Sequence, residues 1–417
     1  MLLTSMLRVL LTRSFKPFVF EGKYQNELDF MDLENLGLYV HIPFCRTLCS
    51  FCPYCKEVYD QEKAERYKKA LLKEIEIVGS GMKNKKSVTS LYFGGGTPAL
   101  MVDELADIIE KLKGYFDIRG GIGLELHPQD VHPEVLEKLK ASGVTMVSIG
   151  IQSFDQACLA KIGRTYDDFQ EKIMLANEFG FEVIDVDLIF AIPGQTDKSL
   201  QDDIDKAFDC GATQVSTYPF IDFTFSNNEY KPMSEAVKKR MLNHLSHYCG
   251  EIGLERTSVW TFGKGGTEKY SSVTRDSFLG FGLSATTLLG DSFKINTFSI
   301  EDYINRVNQN HLPTSLTIDF TKRQRAVYYL FWRAYSLDID SHDFEELIGE
   351  PMMKMFGHEI RLAKWAGLLE KKGSTYRLTE KAMVLYHYIE QTYTNAYIDK
   401  MWHISRKQAF PSRIVLK

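Results

Sequence analysis

Between residues 37 and 218 the chain alternates two hydrophobic rhythms. Short β-branched runs at 38–42, 88–93, 122–126, 144–149, 182–189 and 214–218 have the length and composition of buried strands, with amphipathic stretches between them. Within 103–115, Leu105, Ile108, Ile109 and Leu112 recur at helical spacing and share one face. Pro133 opens a helix carrying Val135, Leu136 and Leu139, and Gly143 stops it. Helices predicted over 167–179 and 199–208 each end ahead of a glycine, Gly180 and Gly211, the residue that a helix C-terminus favours. Strand–helix units in series imply an α/β fold, a parallel sheet covered by helices. Six units are too few for an eight-fold barrel, so an open, partial (β/α)6 TIM-like barrel is expected.

Beyond about residue 225 the rhythm changes. Helices are predicted over 321–336, 343–347, 352–366 and 380–392, and 367–379 reads as a hairpin turning at Gly373-Ser374. This order suggests a C-terminal α+β, winged-helix-like cover domain. The expected divisions are an N-terminal segment 1–34, a barrel 35–224, an extension 225–320 and a C-terminal domain 321–417.

At 417 residues, 44% hydrophobic and 25% charged, the chain can bury a sizeable core. A formal net charge of −5 argues against nucleic acid as a partner, since a nucleic-acid footprint needs a basic stripe. Four of the seven cysteines are crowded together, which points to a metal site in a reducing, cytoplasmic compartment rather than a disulfide framework. The apolar run 2–11 is interrupted by Thr4 and Arg8 and lacks a following small-residue cleavage site. It also falls short of the roughly 20 residues that span a bilayer. A short helix packed on the body is expected there, with Arg8, Arg13 and Lys16 as the cations available for contact with a membrane surface.

The crowded cysteines carry the chemistry. Cys45, Cys49 and Cys52 form a C-x3-C-x2-C triplet directly after the first strand, followed by Cys55. Soft thiolates select iron–sulfur, copper(I) or zinc. A zinc knot calls for a second C-x2-C pair about fifteen residues on, whereas Cys158, Cys210 and Cys249 are isolated. Three thiolates within eight residues can instead hold three corners of a cubane cluster and leave one iron open. One strand later comes Phe93-Gly94-Gly95-Gly96-Thr97-Pro98, whose glycines let backbone approach a ligand closely. Glu125 ends the third strand, Gln152 the fourth (ahead of Ile162-Gly163-Arg164), and Asp187-Leu188-Ile189-Phe190 the fifth. Singly, each is a candidate cap or surface contact. Together they stand at the C-terminal ends of successive parallel strands, where such folds build their sites.

With YVHIPFC, FGGGTP, SIGIQSF, IGR and DLIFAIPGQT in this order, the chain from 38 to about 296 resembles the oxygen-independent coproporphyrinogen III oxidase-like family of radical SAM proteins. Phe278-Leu279-Gly280-Phe281-Gly282-Leu283-Ser284-Ala285 is similar to the family's glycine-rich segment, and the tail beyond Thr321 to a divergent form of its cover domain. The resemblance implies a [4Fe–4S] cluster on Cys45, Cys49 and Cys52. Its open iron would take the amino and carboxylate groups of S-adenosylmethionine (SAM), and reductive cleavage would give a 5′-deoxyadenosyl radical. It further implies that Tyr39 lies against SAM, that Phe51 offers backbone contact, and that Gly95, Gly96 and Thr97 receive the methionine end. Glu125, Gln152, Arg164 and Asp187 match polar SAM-binding positions, which the coproporphyrinogen enzyme divides between two SAM molecules. Glu125 and Asp187 are accordingly expected to bind SAM rather than move protons, a role that needs no raised pKa. The implied partners are an electron donor such as a flavodoxin or ferredoxin and a flat, conjugated small molecule. Tyr218, Phe220, Phe223, Phe225, Trp260 and Phe262 are candidates either to line its site or to form a domain interface.

The chain departs from two branches of that family. The coproporphyrinogen enzyme carries C-x3-C-x2-C-x-C, whereas Pro53-Tyr54 here separate Cys52 from Cys55, and the enzyme's N-terminal segment is not recognisable in 1–34. The heme chaperone branch carries H-N-x-x-Y-W where this chain reads Tyr270-Ser271-Ser272-Val273-Thr274-Arg275, with no histidine between His247 and His311. Three functions stay open: a radical SAM enzyme modifying a tetrapyrrole, a two-SAM methyltransferase or cyclopropanase acting on another substrate, and a non-enzymatic heme carrier. Reconstituted anaerobically, the chain should bind about four irons, as a cubane requires. Cys52→Ala should abolish the cluster's visible absorption and Cys55→Ala should retain it; loss in both variants would indicate a closed site or a different metal.

Overall fold

Runs that are apolar on both faces pair best as parallel strands beneath helices. In the computed structural model, which describes the chain apart from residues 1, 24–26, 166–167, 227 and 267–275, they do so. Strands β1 (Leu36–Ile42), β2 (Ser90–Gly95), β3 (Ile122–Leu126), β4 (Met146–Gln152), β5 (Val183–Phe190) and β6 (Gln214–Pro219) lie side by side in chain order, all parallel. Helices α1 (Gln61–Gly79), α2 (Val102–Tyr115), α3 (Pro133–Ala141), α4 (Phe169–Glu178) and α5 (Asp197–Asp209) connect them. The run expected at 88–93 is divided. Lys86–Val88 pairs with Phe116–Ile118 in a separate ribbon, and β2 begins only at Ser90. Part of the helix expected from 167 lies outside the described residues.

The strands alternate as their pleat requires. On β5, Ile184, Val186, Leu188 and Phe190 are buried in the main hydrophobic core, whereas Asp185 and Asp187 share the opposite face. That face is the barrel interior, and it is polar.

The sheet continues past six strands. β7 (Ser277–Phe281), which lies in the glycine-rich segment, pairs parallel with β1 on the side away from β2. Thr286–Leu289, Ser292–Asn296, Thr314–Asp319, Phe18–Glu21 and Arg413–Leu416 then follow in antiparallel order. At the other edge Thr261–Gly263 and Glu255–Arg256 extend the sheet beyond β6. These pairings run across the divisions expected at 34 and 320. Strands Asp338–Asp340, Leu369–Lys372 and Thr375–Leu378 form a separate three-stranded sheet beside helices Lys322–Tyr335, Ser341–Ile348 and Met352–Trp365, a winged-helix-like arrangement. Helices Glu380–Tyr393 and Asp399–Lys407 then return over the C-terminal ends of the barrel strands. There the His387 ring lies 5.8 Å from Phe190, and Thr224 N–H donates to Asp399 Oδ1 at 2.9 Å.

One knot fastens β7 to β1. The Tyr67 hydroxyl donates to His41 O at 2.6 Å and accepts Leu283 N–H at 3.0 Å. Glu74, buried one turn further along α1 than Ala70, accepts Gly282 N–H at 2.8 Å, Asn296 Nδ2 at 3.1 Å and the Tyr303 hydroxyl at 2.6 Å. Burial pushes the Glu74 carboxyl up to about 7 while these three donors hold it down. Gly282 sits at φ +94°, and a Cβ there would lie 2.4 Å from the Tyr67 hydroxyl and 2.7 Å from His41 O. Gly282→Ala should therefore cost about 3 kcal/mol or more in urea unfolding, from backbone strain and overpacking together. Gly81→Ala, where an added Cβ meets nothing within 4 Å, serves as the control; an equal loss in both variants would show that the knot is not under steric constraint.

Candidate active site

The cysteine loop leaves β1 after Ile42 and is closed at its base by a short parallel pairing, Phe44 with Glu57 and Cys45 with Val58. Its irregular backbone has its carbonyls met by cations. Lys56 Nζ donates to Cys49 O and, at 3.0 Å, to Cys52 O, and Arg406 donates to Pro53 O. Arg46 pairs with buried Asp130 at the end of β3. Cys45, Cys49 and Cys52 are all partly exposed, whereas Cys55 is buried with its Sγ 3.5 Å from Phe298 O. The first three therefore present sulfur to a ligand and Cys55 does not. Burial, and then the neighbouring Cys52 thiol, push the Cys45 thiol up to about 12. Crowded thiols of this kind favour a bound cationic centre. Among the described residues no three His, Cys, Asp or Glu side chains close on a single metal position. A cubane asks instead for one thiolate per iron, and three separate, partly exposed sulfurs on one loop fit that demand.

Tyr39 and His41 support the loop from below. The Tyr39 hydroxyl donates to His41 Nδ1 at 3.0 Å, and His41 Nε2–H donates to Cys55 O at 2.8 Å. Burial lowers the His41 pKa to about 4, so the ring is neutral and this tautomer follows from its two partners. The glycine run at the end of β2 is a matter of space. A Cβ on Gly95, at φ +118°, would lie 2.5 Å from the His41 ring, and one on Gly96 would lie 2.5 Å from Phe44 O. Gly96 N–H and Thr97 N–H donate to Ile42 O and Phe44 O at 2.8 and 2.7 Å. Thr97 Oγ1 lies 4.0 Å from Cys45 Sγ.

The remaining candidates ring the same strand ends. Glu125 accepts Gly95 N–H at 2.9 Å and the Tyr92 hydroxyl at 3.0 Å. Arg164 pairs with His127 and donates to Gly150 O at 2.5 Å, and its Nε is buried with no protein partner. Cys49, Cys52 and Cys45 all lie within electrostatic reach of its guanidinium. Gln152 stands in the left-handed region at φ +74°, as does Ala191 just past β5 at φ +63°. Backbone strain of this kind collects at functional sites. Asp187 accepts from the Ser148 hydroxyl at 2.8 Å. Phe51 is partly buried at the tip of the cysteine loop, against the core. Expected site residues from six different segments are thus brought together around one chamber.

Burial raises the pKa of both Glu125 and Asp187, and for Asp187 like-charge repulsion from Asp185 adds to the effect of burial. Tyr54 and Tyr218 leave 52% and 40% of their surfaces uncovered, yet burial pushes both phenols well up. Both phenols thus keep uncovered surface within crowded, poorly solvated surroundings, in the chamber at the strand ends. Of the aromatic set, only Tyr218 opens to this chamber. Phe220, Phe223, Trp260 and Phe262 are buried, Phe223 is stacked on Trp402 at 6.1 Å, and Arg406 covers the Phe225 ring at 4.1 Å. These five form an interface core. Sequence reasoning missed Tyr54, Lys56, His41, Arg406 and Asp185. His41 and Tyr54 lay within the quoted cysteine-loop motif, and Asp185 was signalled by standing two residues from Asp187 and hence on the same strand face. Residues 270–275, where the heme chaperone branch carries its motif, lie outside the described residues.

Residues 39–207 match the Radical SAM superfamily. The chain is 28% identical over 375 residues to the heme chaperone HemW of Bacillus subtilis, covering 83% of this chain and 96% of that protein. It is 23% identical over 383 residues to the oxygen-independent coproporphyrinogen III oxidase of Helicobacter pylori, covering 84% of each. Among solved structures, coproporphyrinogen III oxidase (HemN) from Escherichia coli shares the fold, with a TM-score of 0.73 at 22% identity over 90% of this chain and 92% of that one.

Asp185 lies beneath this ring of side chains. It is buried, its Oδ2 accepts the Ser216 hydroxyl at 2.8 Å, and burial pushes its carboxyl up to about 7. Unfolded, it would titrate at about 3.9. Between about pH 4 and 7 the folded chain thus holds a proton that the unfolded chain has lost, so stability falls as pH rises through that window. Asp185→Asn removes this dependence. Its stability relative to the parent should be greater at pH 8 than at pH 5 by on the order of 1–3 kcal/mol in paired urea melts. A difference that does not change with pH would contradict the raised pKa.

Proposed function

The chain carries a radical SAM domain, and from that premise we propose that it cleaves SAM reductively at a [4Fe–4S] cluster held by Cys45, Cys49 and Cys52 and modifies a flat, tetrapyrrole-type substrate in the chamber below. The observation that carries this reading is the placement of three partly exposed cysteines beside Thr97, Arg164 and Glu125 at the strand ends. The cluster, when bound, supplies the electron that splits the SAM carbon–sulfur bond. The chain's own residues do the rest. Gly95, Gly96 and Thr97 bring backbone close to the rim, and Arg164 offers a guanidinium to a carboxylate. Glu125 and Asp187 keep acceptor capacity for hydroxyls beyond the donors they already hold. The helices returning over the strand ends exclude water, which a carbon radical requires. Glu125, Gln152, Arg164 and Asp187 match positions that the coproporphyrinogen enzyme divides between two SAM molecules, and Tyr54 and Tyr218 present the ring faces and hydroxyls that a conjugated substrate can use.

A second reading, heme carriage without chemistry, is favoured by the likeness to HemW across 96% of that protein. Anaerobic incubation of the reconstituted chain with SAM, reductant and a tetrapyrrole, followed by mass spectrometry, separates the two. The enzyme reading expects 5′-deoxyadenosine to rise with substrate and the tetrapyrrole to change mass. Stoichiometric heme binding with no substrate-dependent 5′-deoxyadenosine would establish the carrier instead. Asp187→Ala should weaken SAM binding about tenfold, the worth of about one hydrogen bond, with the cluster spectrum intact.

A further inference from the structure

Helix Leu2–Thr12 turns polar residues inward and apolar ones outward at several of its described positions. Its polar residues Thr4 and Thr12 are turned inward and buried, while Met6 and Leu10, one turn apart on the outer face, are 60% and 59% exposed. Phe15, just past the helix, is 90% exposed. Water-facing positions on a helix ordinarily carry polar residues, so this face is composed for a non-aqueous neighbour. A second element joins it. Arg323 donates to Leu11 O at 2.7 Å and to Met355 O at 2.6 Å, and Arg13 pairs with Glu359 at 3.0 Å, which fixes the end of the first helix beside helix Met352–Trp365. That second helix exposes Leu362 at 62% and Trp365 at 86%.

The charges of the two segments select the partner. Residues 1–20 carry Arg8, Arg13 and Lys16 and no acid. On helix Met352–Trp365, Arg361 and Lys364 flank Leu362 and Trp365, and the helix's one acid, Glu359, is held by Arg13 and Arg323. Glu350, just ahead of it, is held by Lys322 and Lys354. We infer that Met6, Leu10, Phe15, Leu362 and Trp365 form a docking face for the surface of an anionic lipid bilayer, with Lys16, Arg361 and Lys364 meeting the headgroups. Exposed aromatic and aliphatic side chains ringed by cations are the composition of an interfacial anchor. A two-fold contact between copies would set these cations against one another, whereas anionic headgroups neutralise them. Among the described residues no helix is long and apolar enough to cross a membrane, so the contact is peripheral.

The test is flotation of the full chain with vesicles of phosphatidylcholine alone or with phosphatidylglycerol added. Binding is expected to the phosphatidylglycerol vesicles, to weaken as salt rises, and to be accompanied by a blue shift of tryptophan fluorescence. The double variant F15S/W365S should reduce partitioning about tenfold or more while leaving the thermal melt unchanged, because both side chains are exposed. Absence of flotation with phosphatidylglycerol, flotation that the double variant does not reduce, or a dimer seen by light scattering that the double variant dissolves would each overturn the inference.

Discussion

Everything at the site rests on one close approach, the backbone at the end of β1. Gly95 and Gly96 press on His41 and on the Pro43–Phe44 carbonyls from one side, and Gly282 presses on His41 O and the Tyr67 hydroxyl from the other. At each of these three positions a Cβ would come within 2.4–2.5 Å of its nearest neighbour. Real side chains do not approach so closely, so the cost of any addition is set by repulsion rather than lost attraction. The gain is positional. The cysteine loop begins at this clamp, and a loop that must hold several sulfurs in fixed relation needs its first residues immobilised by packing on both sides. The hydrogen bonds of Tyr67 and Glu74 would be ordinary elsewhere. Here they satisfy the polar backbone that such close packing would otherwise strand.

The chamber beneath follows the opposite rule. A barrel interior filled by aliphatic side chains would be more stable, because buried carboxylates are costly unless fully paired. Instead Glu125, Asp185 and Asp187 stand within one another's fields, each with its pKa raised by burial. Asp185 and Asp187 resist ionising together. Hydroxyls from Ser148 and Ser216 meet one oxygen of each, which lowers the cost without removing it. A ligand that carries positive charge and hydroxyl donors relieves it further, and SAM, with a sulfonium and a ribose, carries both. Stability withheld from the empty fold becomes differential affinity for such a ligand.

Much of this was legible in the sequence because it is local. The C-x3-C-x2-C spacing is a property of eight consecutive residues, and the polar strand ends stand out because the strands before them are so uniformly apolar. The six strands and their helices could be read for the same reason. What escaped was set by tertiary contact. Phe18–Glu21 and Arg413–Leu416 are four-residue strands too short to show a period, and they exist because they pair with each other and, through Phe18–Glu21, with Thr314–Asp319. β7 was legible only as a glycine-rich segment and not as a strand, because Gly280 must be small to pass Thr286 O, 2.2 Å from where its Cβ would lie. The aromatics after β6 could have lined a substrate site or a domain interface, and only the arrival of Trp402 and Arg406 from the chain's far end decides it.

That arrival also bears on charge. Three thiolates on one loop repel each other, and the loop has no acid-pairing cation of its own beyond Arg46, which Asp130 takes, and Lys56. Arg164, arriving from beyond β4, and Arg406, from the last described helix, bring two further guanidiniums within electrostatic reach of the cysteines. Neither is matched by a carboxylate in a salt bridge among the described residues. Both donate instead to backbone carbonyls, Arg164 to Gly150 and Arg406 to Pro53. A guanidinium committed to carbonyls keeps its full positive charge available to the sulfurs, whereas one paired to a carboxylate would be neutralised locally. Net charge and hydrogen bonding around the sulfurs are what set the potential of such a centre. The C-terminal helix therefore does more than close the mouth of the barrel: it completes the electrostatic environment that the cysteine loop cannot supply alone.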